Sequence, residues 1–353
     1  MTDMLSRRTV LQSASLAGLA ATLGAPASAQ IQHTPWLIMA PMPEASAEVL
    51  GVALHGKLHV FCGLAPGFRP RGLVLQFDPG SNSWAEKQPM PRALHHVAFA
   101  ALGDKIYGFG GFALPSAGPP SWMPVGDCWE YDPAADRWRA LAPMPTVRGA
   151  AAAVELDGKL YVIGGASLPT DQKMLLPGSP QMVVGTVEVY DPVHDQWERR
   201  SNMPTPRNHH AVGAIGRKIY AIGGRIGSVF IPFSNPLDLV ESYDPATDRW
   251  GPVLERMPTP RSGCAWASDG RQVYVAGGEA QDRAMLSAYR AVEAYDPARN
   301  RWTVLPSMPT PRHGCAGAII DNKFYIAGGE AQSGGSGTRG ETPFNHALQL
   351  DKI

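Results

Sequence analysis

Short apolar runs that end in a pair of glycines recur along the chain and dominate its pattern of hydrophobic and polar positions. The runs occupy residues 57–63, 105–111, 159–165, 218–224, 272–278 and 323–329, and in the first of them Cys62 replaces the first glycine. A nearly all-apolar run of this length is typical of a strand that is buried on both faces. The glycines permit backbone angles, or a close approach, that a side chain would prevent. The pattern therefore predicts six buried strands, one in each repeat of about fifty residues.

A second motif, an aspartate followed by a tryptophan six positions later, comes after each of the first five glycine pairs. The residues are Asp78/Trp84, Asp132/Trp138, Asp191/Trp197, Asp244/Trp250 and Asp296/Trp302. Asp-Pro begins a tight turn, because proline fixes its own φ and aspartate bonds to the turn backbone. The tryptophan then fills space between stacked sheets, and a Met-Pro pair ends its strand. One repeat of about fifty residues thus holds four strands.

The glycine pair, the spaced tyrosine and the spaced tryptophan resemble the Kelch repeat, and the resemblance covers residues 34–353. It implies an all-β fold, a Kelch β-propeller with four-stranded antiparallel blades. The chain begins with a lone tryptophan strand at Trp36, and its last segment, residues 347–351, stops before any tryptophan. We therefore predict six blades, the last closed by the N-terminal strand, since closure removes open sheet edges. Truncating residues 34–43 is expected to destabilise the ring strongly.

Residues 1–29 have the features of an export signal. Arg7 and Arg8 precede a mild apolar run over residues 14–23, and Ala27 and Ala29 provide the small residues of a cleavage site. This order resembles a bacterial twin-arginine signal, although an ordinary secretory signal with a coincidental arginine pair is the alternative. The apolar run is too short to span a bilayer stably. We predict cleavage after Ala29, a propeller over residues 30–353, and a periplasmic or secreted location.

Composition narrows the class of partner. The chain has 31 basic and 31 acidic residues, and this balance argues against nucleic acid or an anionic membrane as the main partner. Four cysteines in 353 residues do not make a disulfide scaffold. The sequence has neither a Gly-x-Ser-x-Gly elbow nor a phosphate-binding or dinucleotide-binding loop. A small-molecule or carbohydrate ligand, or a protein partner, fits this composition best, and the oligomeric state stays open.

Candidate ligand-binding residues come from comparing the six repeats with one another. Four arginines lie sixteen positions before a glycine pair and open the innermost strand: Arg148, Arg207, Arg261 and Arg312. The residue after the glycine pair varies, and in the last three repeats it is Arg225, Glu279 and Glu330. In animal Kelch propellers, which this chain resembles, arginines at both places contact acidic peptides. Two interpretations stay open, a rim that binds a hydroxylated anionic ligand and a set of structural ion pairs.

Histidines near the start of the innermost strands raise the question of a metal. His95, His96, His209, His210 and His313 fall at nearly matching places, and three imidazoles on one axis would suit copper or zinc. Histidine is, however, common at this point in Kelch-like repeats, and no short ligand spacing is present. The resemblance to galactose oxidase extends to the blades only. We therefore predict no metal and no cofactor.

The expected function is binding of a small anionic or carbohydrate ligand, or of an envelope protein, at the loop face of the channel. Long apolar loops at residues 112–127, 166–186 and 225–239 are expected to cover the channel mouth. Two enzymatic alternatives remain. The first is a sugar epimerase or mutarotase that resembles bacterial N-acetylneuraminate epimerase, with Glu279, Glu330 or His209 moving a proton. The second, which the missing ligand motifs disfavour, is a copper oxidase.

Overall fold

The computed structural model describes residues 35–352 apart from 66, 68, 115–121, 170–181, 228–233, 282–285 and 334–339. The predicted signal at residues 1–29 lies outside the described residues and stays a prediction. Within the described ranges the chain consists of β-strands, turns and one 3₁₀ helix at Leu350–Lys352. No helix in these ranges is long and apolar enough to cross a membrane. The four cysteines are buried and free.

Six four-stranded antiparallel sheets form the blades. The innermost strands are Leu50–Leu54, Ala98–Leu102, Ala152–Leu156, Ala211–Ile215, Ala265–Ser268 and Ala316–Ile320. The second strands, which precede the glycine pairs, are Lys57–Phe61, Lys105–Phe109, Lys159–Ile163, Lys218–Ile222, Val273–Ala276 and Lys323–Ala327. The third strands are Val74–Asp78, Cys128–Asp132, Val187–Asp191, Val240–Asp244, Val292–Asp296 and Asn345–Gln349. The outermost strands are Ser83–Glu86, Arg137–Ala140, Gln196–Arg200, Arg249–Val253, Arg301–Leu305 and, in blade 6, Trp36–Met39.

A short two-stranded ribbon follows each of the first five glycine pairs, and together these ribbons define what we call the loop face. They pair Leu64–Ala65 with Arg69–Pro70, Phe112–Ala113 with Met123–Pro124, Ala166–Ser167 with Met182–Val183, Arg225–Gly227 with Ser234–Pro236, and Glu279–Gln281 with Leu286–Ala288. In blade 6 the described residues on this face form a bridge between Glu330 and Glu341. The first ribbon residue also bridges to the segment that enters the innermost strand, as Arg225 does with Asn208.

Both ends of the chain contribute to blade 6, as predicted. Strand Trp36–Met39 pairs with Asn345–Gln349, and Trp36 lies opposite Leu348. The Trp36 indole N–H donates to the carbonyl oxygen of Pro306 at 3.1 Å. The backbone N–H of Met42 donates to the carbonyl oxygen of Pro343 at 2.7 Å, and the side chains of Trp36 and Met42 are buried. The six-bladed ring with four strands in each blade is therefore confirmed.

The glycine pair is required where each second strand turns away beside the next blade. At Gly110 φ is +63°, and a Cβ there would lie 2.3 Å from the carbonyl oxygen of Arg148. The neighbouring Gly111 donates its N–H to that same carbonyl at 2.9 Å. Equivalent bonds join Gly165 to Arg207, Gly224 to Arg261 and Gly278 to Arg312. At these four positions the second glycine of one blade therefore bonds to the backbone of the segment that enters the next blade.

The tryptophans join adjacent blades at the outer edge. Trp197 donates its indole N–H to the carbonyl oxygen of Ala142 in the preceding blade at 2.9 Å. Asp195 accepts the N–H of the same Ala142 at 2.8 Å and the hydroxyl of Tyr190 at 2.5 Å. Asp191, the aspartate of the repeat, accepts the N–H of Val193 within the turn, as its position predicts. Hydrogen-bonding groups of the backbone and side chains of one blade are therefore paired with those of the next blade.

Two cavities of the described residues lie along the channel that the innermost strands enclose. The larger, about 320 Å³, is lined mostly by small and apolar residues from all six innermost strands, with Glu155 and Ser268 among them. The smaller, about 40 Å³, lies toward the loop face and is lined by Glu48, His96 and His209 among others. Trp266 lines both. The smaller cavity has room for about three water molecules, so polar chemistry at this end of the channel has space for solvent or ligand atoms.

Candidate functional site

Six residues, one from each blade, form a ring around the channel where the chain enters the innermost strands. They are Glu48, His96, Ala150, His209, Gly263 and Gly314, and φ is positive at all six, between 52° and 63°. The N–H of Ala150 donates to the carbonyl oxygen of His96, and that of His209 to Ala150, each at 3.0 Å. A non-glycine residue in this region costs about 1–3 kcal/mol. The side chains of Glu48, His96 and His209 are therefore held in place at a cost that the two glycines avoid.

Three of these side chains converge on the axis. One ligand atom from each of Glu48, His96 and His209 lies within 4.8 Å of the other two. Nε2 of His96 is 3.1 Å from Oε2 of Glu48. The rings of His96 and His209 meet edge to face with centroids 4.8 Å apart. Both histidines are buried, and the Glu48 side chain is 15% exposed. We call these three residues the axial triad.

Arg225 and Glu279, two predicted site residues, form a buried ion pair beside the axial triad. Arg225 also donates through Nη1 to the hydroxyl of Ser262 at 3.1 Å, and its Nη2 lies 3.1 Å from Nε2 of His209. The hydroxyl of Ser333 donates to the second oxygen of Glu279 at 2.8 Å. The sequence left two interpretations open for Glu279, a ligand-binding rim and a structural ion pair. The structure has the ion pair, and the pair also borders the channel.

His313 lies between two carboxylates. Its Nε2 is 3.5 Å from Oε1 of Glu48 and 3.5 Å from Oε2 of Glu279. Burial disfavours the imidazolium, but the charges of Glu279 and Glu48 outweigh burial and raise the pKa of His313 to about 9. Burial would also raise the pKa of Glu279, yet His313 and Arg225 hold it below its usual value. At neutral pH the cluster therefore contains two cations that alternate with two carboxylates.

Glu330, the third predicted carboxylate, borders this cluster through its backbone. The N–H of His313 donates to the carbonyl oxygen of Glu330 at 3.0 Å, and the reverse bond is 2.9 Å. Burial, followed by the neighbouring carboxylates, raises the pKa of Glu330 to about 7, although His313 acts in the opposite direction. The carboxyl of Glu330 thus titrates near neutral pH, which is the range suited to proton transfer.

His209 is neutral, and its tautomer follows from its partners. Its Nδ1 lies 2.6 Å from the side-chain oxygen of Asn208, which only accepts, so Nδ1 carries the proton. Nε2 then accepts a hydrogen bond from Arg225. Burial first, and the charge of Arg225 second, lower the pKa of His209 well below its usual value. The imidazole therefore presents an unprotonated nitrogen toward the channel side of the cluster.

Comparison with known proteins supports the fold assignment. The KLHDC2/KLHL20/DRC7 Kelch-repeats domain matches residues 27–224 and 186–329. The chain belongs to the Kelch-repeat family. It is 29% identical over 301 residues to Kelch-like protein terF of Aspergillus terreus, covering 83% of this chain and 62% of that protein. It is 28% identical over 256 residues to Kelch-like protein 25 of Xenopus tropicalis, covering 72% of this chain and 40% of that protein. The chain thus spans less than two thirds of either relative.

A solved structure, that of YjhT, has a similar fold. It superposes with a TM-score of 0.70 at 16% identity, and the match covers 90% of this chain and 98% of that one. At this identity the likeness concerns the fold alone. Family membership supports binding of a ligand or of a protein as the general role of the propeller.

In this Kelch propeller the four arginines expected to converge on the channel lie inside their blades instead. Arg148, Arg207, Arg261 and Arg312 are fully buried. Three of them pair with glutamates on the third strand of the same blade: Arg148–Glu188, Arg207–Glu241 and Arg261–Glu293. Arg312 donates to the carbonyl oxygens of Gly328 and Phe344 at 2.6 and 2.9 Å and lies 3.0 Å from Nδ1 of His346. The prediction that these four arginines converge on the channel is therefore wrong, because acceptors within each blade bind their side chains. Among the predicted arginines, Arg225 alone reaches the channel axis.

Glu48 is a site residue that the repeat comparison did not single out. It aligns with Gly263 and Gly314, two positions after the arginine of the other repeats. In blade 1 that arginine is replaced by Ser46, which hides the alignment. An acidic side chain at a position that holds glycine in two sibling repeats is the signal that would have identified it.

The predicted cover of the channel mouth falls largely outside the described residues. This applies to Met174, Leu175, Leu176 and residues 230–233. Among the described residues, the ring of Trp122 lies 4.4 Å from that of His95 and 5.2 Å from that of His96, measured between centroids. One described part of the blade 2 loop therefore contacts the axial triad.

Proposed function

We propose that this chain is an exported Kelch propeller that binds a small, hydroxylated, anionic ligand of the carbohydrate class at the loop face of its channel. The observation that carries the proposal is the convergence of Arg225, Glu279, His313 and the axial triad near the axis. Export rests on the predicted signal at residues 1–29.

The charge pattern of the cluster supports this ligand class. Arg225 and His313 only donate hydrogen bonds when charged, whereas Glu48 and Glu279 only accept them. A sugar hydroxyl does both, so it fits between groups of opposite kind. A carboxylate on the ligand adds charge-assisted bonds to Arg225 or His313, which are stronger than neutral ones. The burial of the cluster strengthens these bonds further, because the local dielectric is lower than that of water.

Carboxylated sugars, with N-acetylneuraminate and glucuronate as the first probes, are expected to raise the melting temperature of the mature protein. Replacing Arg225 by methionine removes a charge-assisted bond worth about 1.5–3 kcal/mol, so the affinity is expected to fall about 10- to 150-fold. Arg225→Lys keeps the charge that pairs with Glu279 and loses the forked geometry. Arg217→Met, at a side chain that is 81% exposed, is the matched control.

Calorimetric titration measures these affinities directly. Binding that is equal in Arg225→Met, Arg225→Lys and the Arg217→Met control would contradict the site, and so would the absence of any response to carboxylated sugars. An acidic peptide offers the same carboxylate without the hydroxyls. A response to such a peptide but to no sugar would replace the carbohydrate by an envelope protein as the ligand.

A sugar epimerase or mutarotase is the second candidate, and Glu330 favours it. A general acid or base works best when its pKa lies near the operating pH, and the pKa of Glu330 is about 7. If the bound sugar is isomerised, Glu330→Gln is expected to slow the reaction by about 10²- to 10⁴-fold. NMR exchange between the two isomers measures the rate, with the exposed Glu198→Gln as control. A full rate in Glu330→Gln would exclude this carboxyl as the proton-transfer group.

A further inference from the structure

The axial triad has the donor set of a metal site. It combines one carboxylate with two imidazoles, which come from blades 1, 2 and 4 and meet on the channel axis. Two histidines with one carboxylate are ligands that zinc and its first-row neighbours accept. We propose that Glu48, His96 and His209 bind one divalent cation of this class, contrary to the expectation from sequence. This proposal does not depend on the carbohydrate function.

The spacing of the donor atoms fits such an ion. Ligand bonds of about 2.1 Å place neighbouring ligand atoms about 3.0–3.4 Å apart in octahedral or tetrahedral geometry. Nε2 of His96 and Oε2 of Glu48 are already 3.1 Å apart. The third ligand atom lies within 4.8 Å of the others, so it has to approach by at most about 1.4 Å to reach this spacing. A small side-chain rotation therefore closes the site.

Neighbouring residues orient each of the three ligands. Nδ1 of His209 is bonded to Asn208 at 2.6 Å, and Nδ1 of His96 lies 2.5 Å from Nδ1 of His95. In both histidines Nδ1 is thus engaged, so Nε2 is the nitrogen that would bind the ion, and at His209 the ion would displace the N–H of Arg225. The second oxygen of Glu48 lies 3.5 Å from His313. Partners of this kind fix the tautomer and the orientation of ligands in established metal sites.

Arg225 and the small cavity determine how the ion would be accommodated. An ion at Nε2 of His209 replaces the N–H that Arg225 donates there. The guanidinium keeps its bonds to Glu279 and Ser262, so its charge stays compensated. The 40 Å³ cavity, lined by all three ligands, has room for water molecules that complete the coordination. Glycine would avoid the backbone strain at the three ligand positions but could not bind an ion.

Titration of the chelator-treated mature protein with Zn²⁺ tests the proposal. We expect one ion per chain, a higher melting temperature in its presence, and an affinity at least about 100-fold lower in Glu48→Gln, His96→Gln and His209→Gln. His194→Gln is the matched control, because His194 also lies 3.0 Å from a carboxylate, that of Asp191, but is 68% exposed on the surface. Binding in this control is expected to equal that of the unmodified protein. The absorption spectrum with Co²⁺ is expected to show nitrogen and oxygen coordination that is lost in the three variants.

Asn208→Ala keeps the test decisive if a ligand substitution prevents folding. It leaves all three ligands in place and removes the group that orients His209, so the affinity is expected to fall about 10- to 100-fold. Absence of Zn²⁺ binding in the unmodified protein would overturn the proposal. Binding that survives all the ligand substitutions, or that is lost in His194→Gln, would place the ion elsewhere. Binding of sugars is measured without added metal, so each proposal fails or succeeds separately.

Discussion

A chain that begins at residue 44 is expected to lose about 5–10 kcal/mol of the free energy of unfolding. The truncation removes the buried side chains of Trp36 and Met42, which are worth about 3–5 and 2–5 kcal/mol. It also removes the pairing of Trp36–Met39 with Asn345–Gln349, which leaves the third strand of blade 6 as an open edge. Total stabilities of about 5–15 kcal/mol are usual, so the loss approaches the whole. Urea unfolding of the mature chain and of the chain that begins at residue 44 measures the difference in the free energy of unfolding.

Two substitutions on the strand Trp36–Met39 distinguish the loss of ring closure from a general effect of shortening the chain. Trp36→Ala is expected to cost about 3–5 kcal/mol. Ile38→Ala, at a side chain that is 84% exposed, is expected to change stability by less than about 0.5 kcal/mol. If the truncated chain unfolded at the same urea concentration as the complete mature chain, the terminal strand would not contribute to the closure of the ring.

The fold could be predicted because its determinants lie close together in sequence. Each glycine pair, Asp-Pro turn and tryptophan acts within one repeat or on the adjacent one, so periodicity alone reveals the blades. The incomplete ends, at Trp36 and at residues 347–351, complement each other and give the blade count. The site depends instead on side-chain direction across the channel, which no single repeat encodes.

The sequence nevertheless contains a signal that indicates where the side chains of the repeated arginines lie. The third strands of blades 3, 4 and 5 carry Glu188, Glu241 and Glu293, and these are repeats that also carry the arginine. Blades 1 and 2 lack both groups: their arginine positions hold Ser46 and Leu94, and their glutamate positions hold Leu75 and Trp129. In these five blades the two opposite charges are present together or absent together, which indicates a contact, whereas blade 6 has Arg312 with His346 at the glutamate position. Comparing pairs of positions, rather than single positions, would have placed these arginines inside the blades.

Arg261→Met is expected to lower the free energy of unfolding by about 3–5 kcal/mol, because it leaves the carboxylate of Glu293 buried without its partner. Replacing both members, as Arg261→Leu with Glu293→Trp, reproduces the uncharged combination of blade 2 and is expected to recover most of that loss. A well-packed apolar pair often replaces a buried ion pair at little cost. Urea unfolding of the two single variants and the double variant gives the coupling energy. A cost below about 1 kcal/mol for Arg261→Met would mean that the pair does not stabilise blade 5.

The same double variant distinguishes a structural arginine from a ligand-binding one. With stability restored, any ligand that binds through Arg225 is expected to bind the double variant with unchanged affinity, because Arg261 is fully buried within blade 5 and bonded to Glu293 and to backbone carbonyl oxygens. Loss of ligand binding in this stable variant would return Arg261 to the binding site and would require the blade to open around it. Retained binding, together with its loss in Arg225→Met, would confine recognition to the axis, where the repeats differ most in charge.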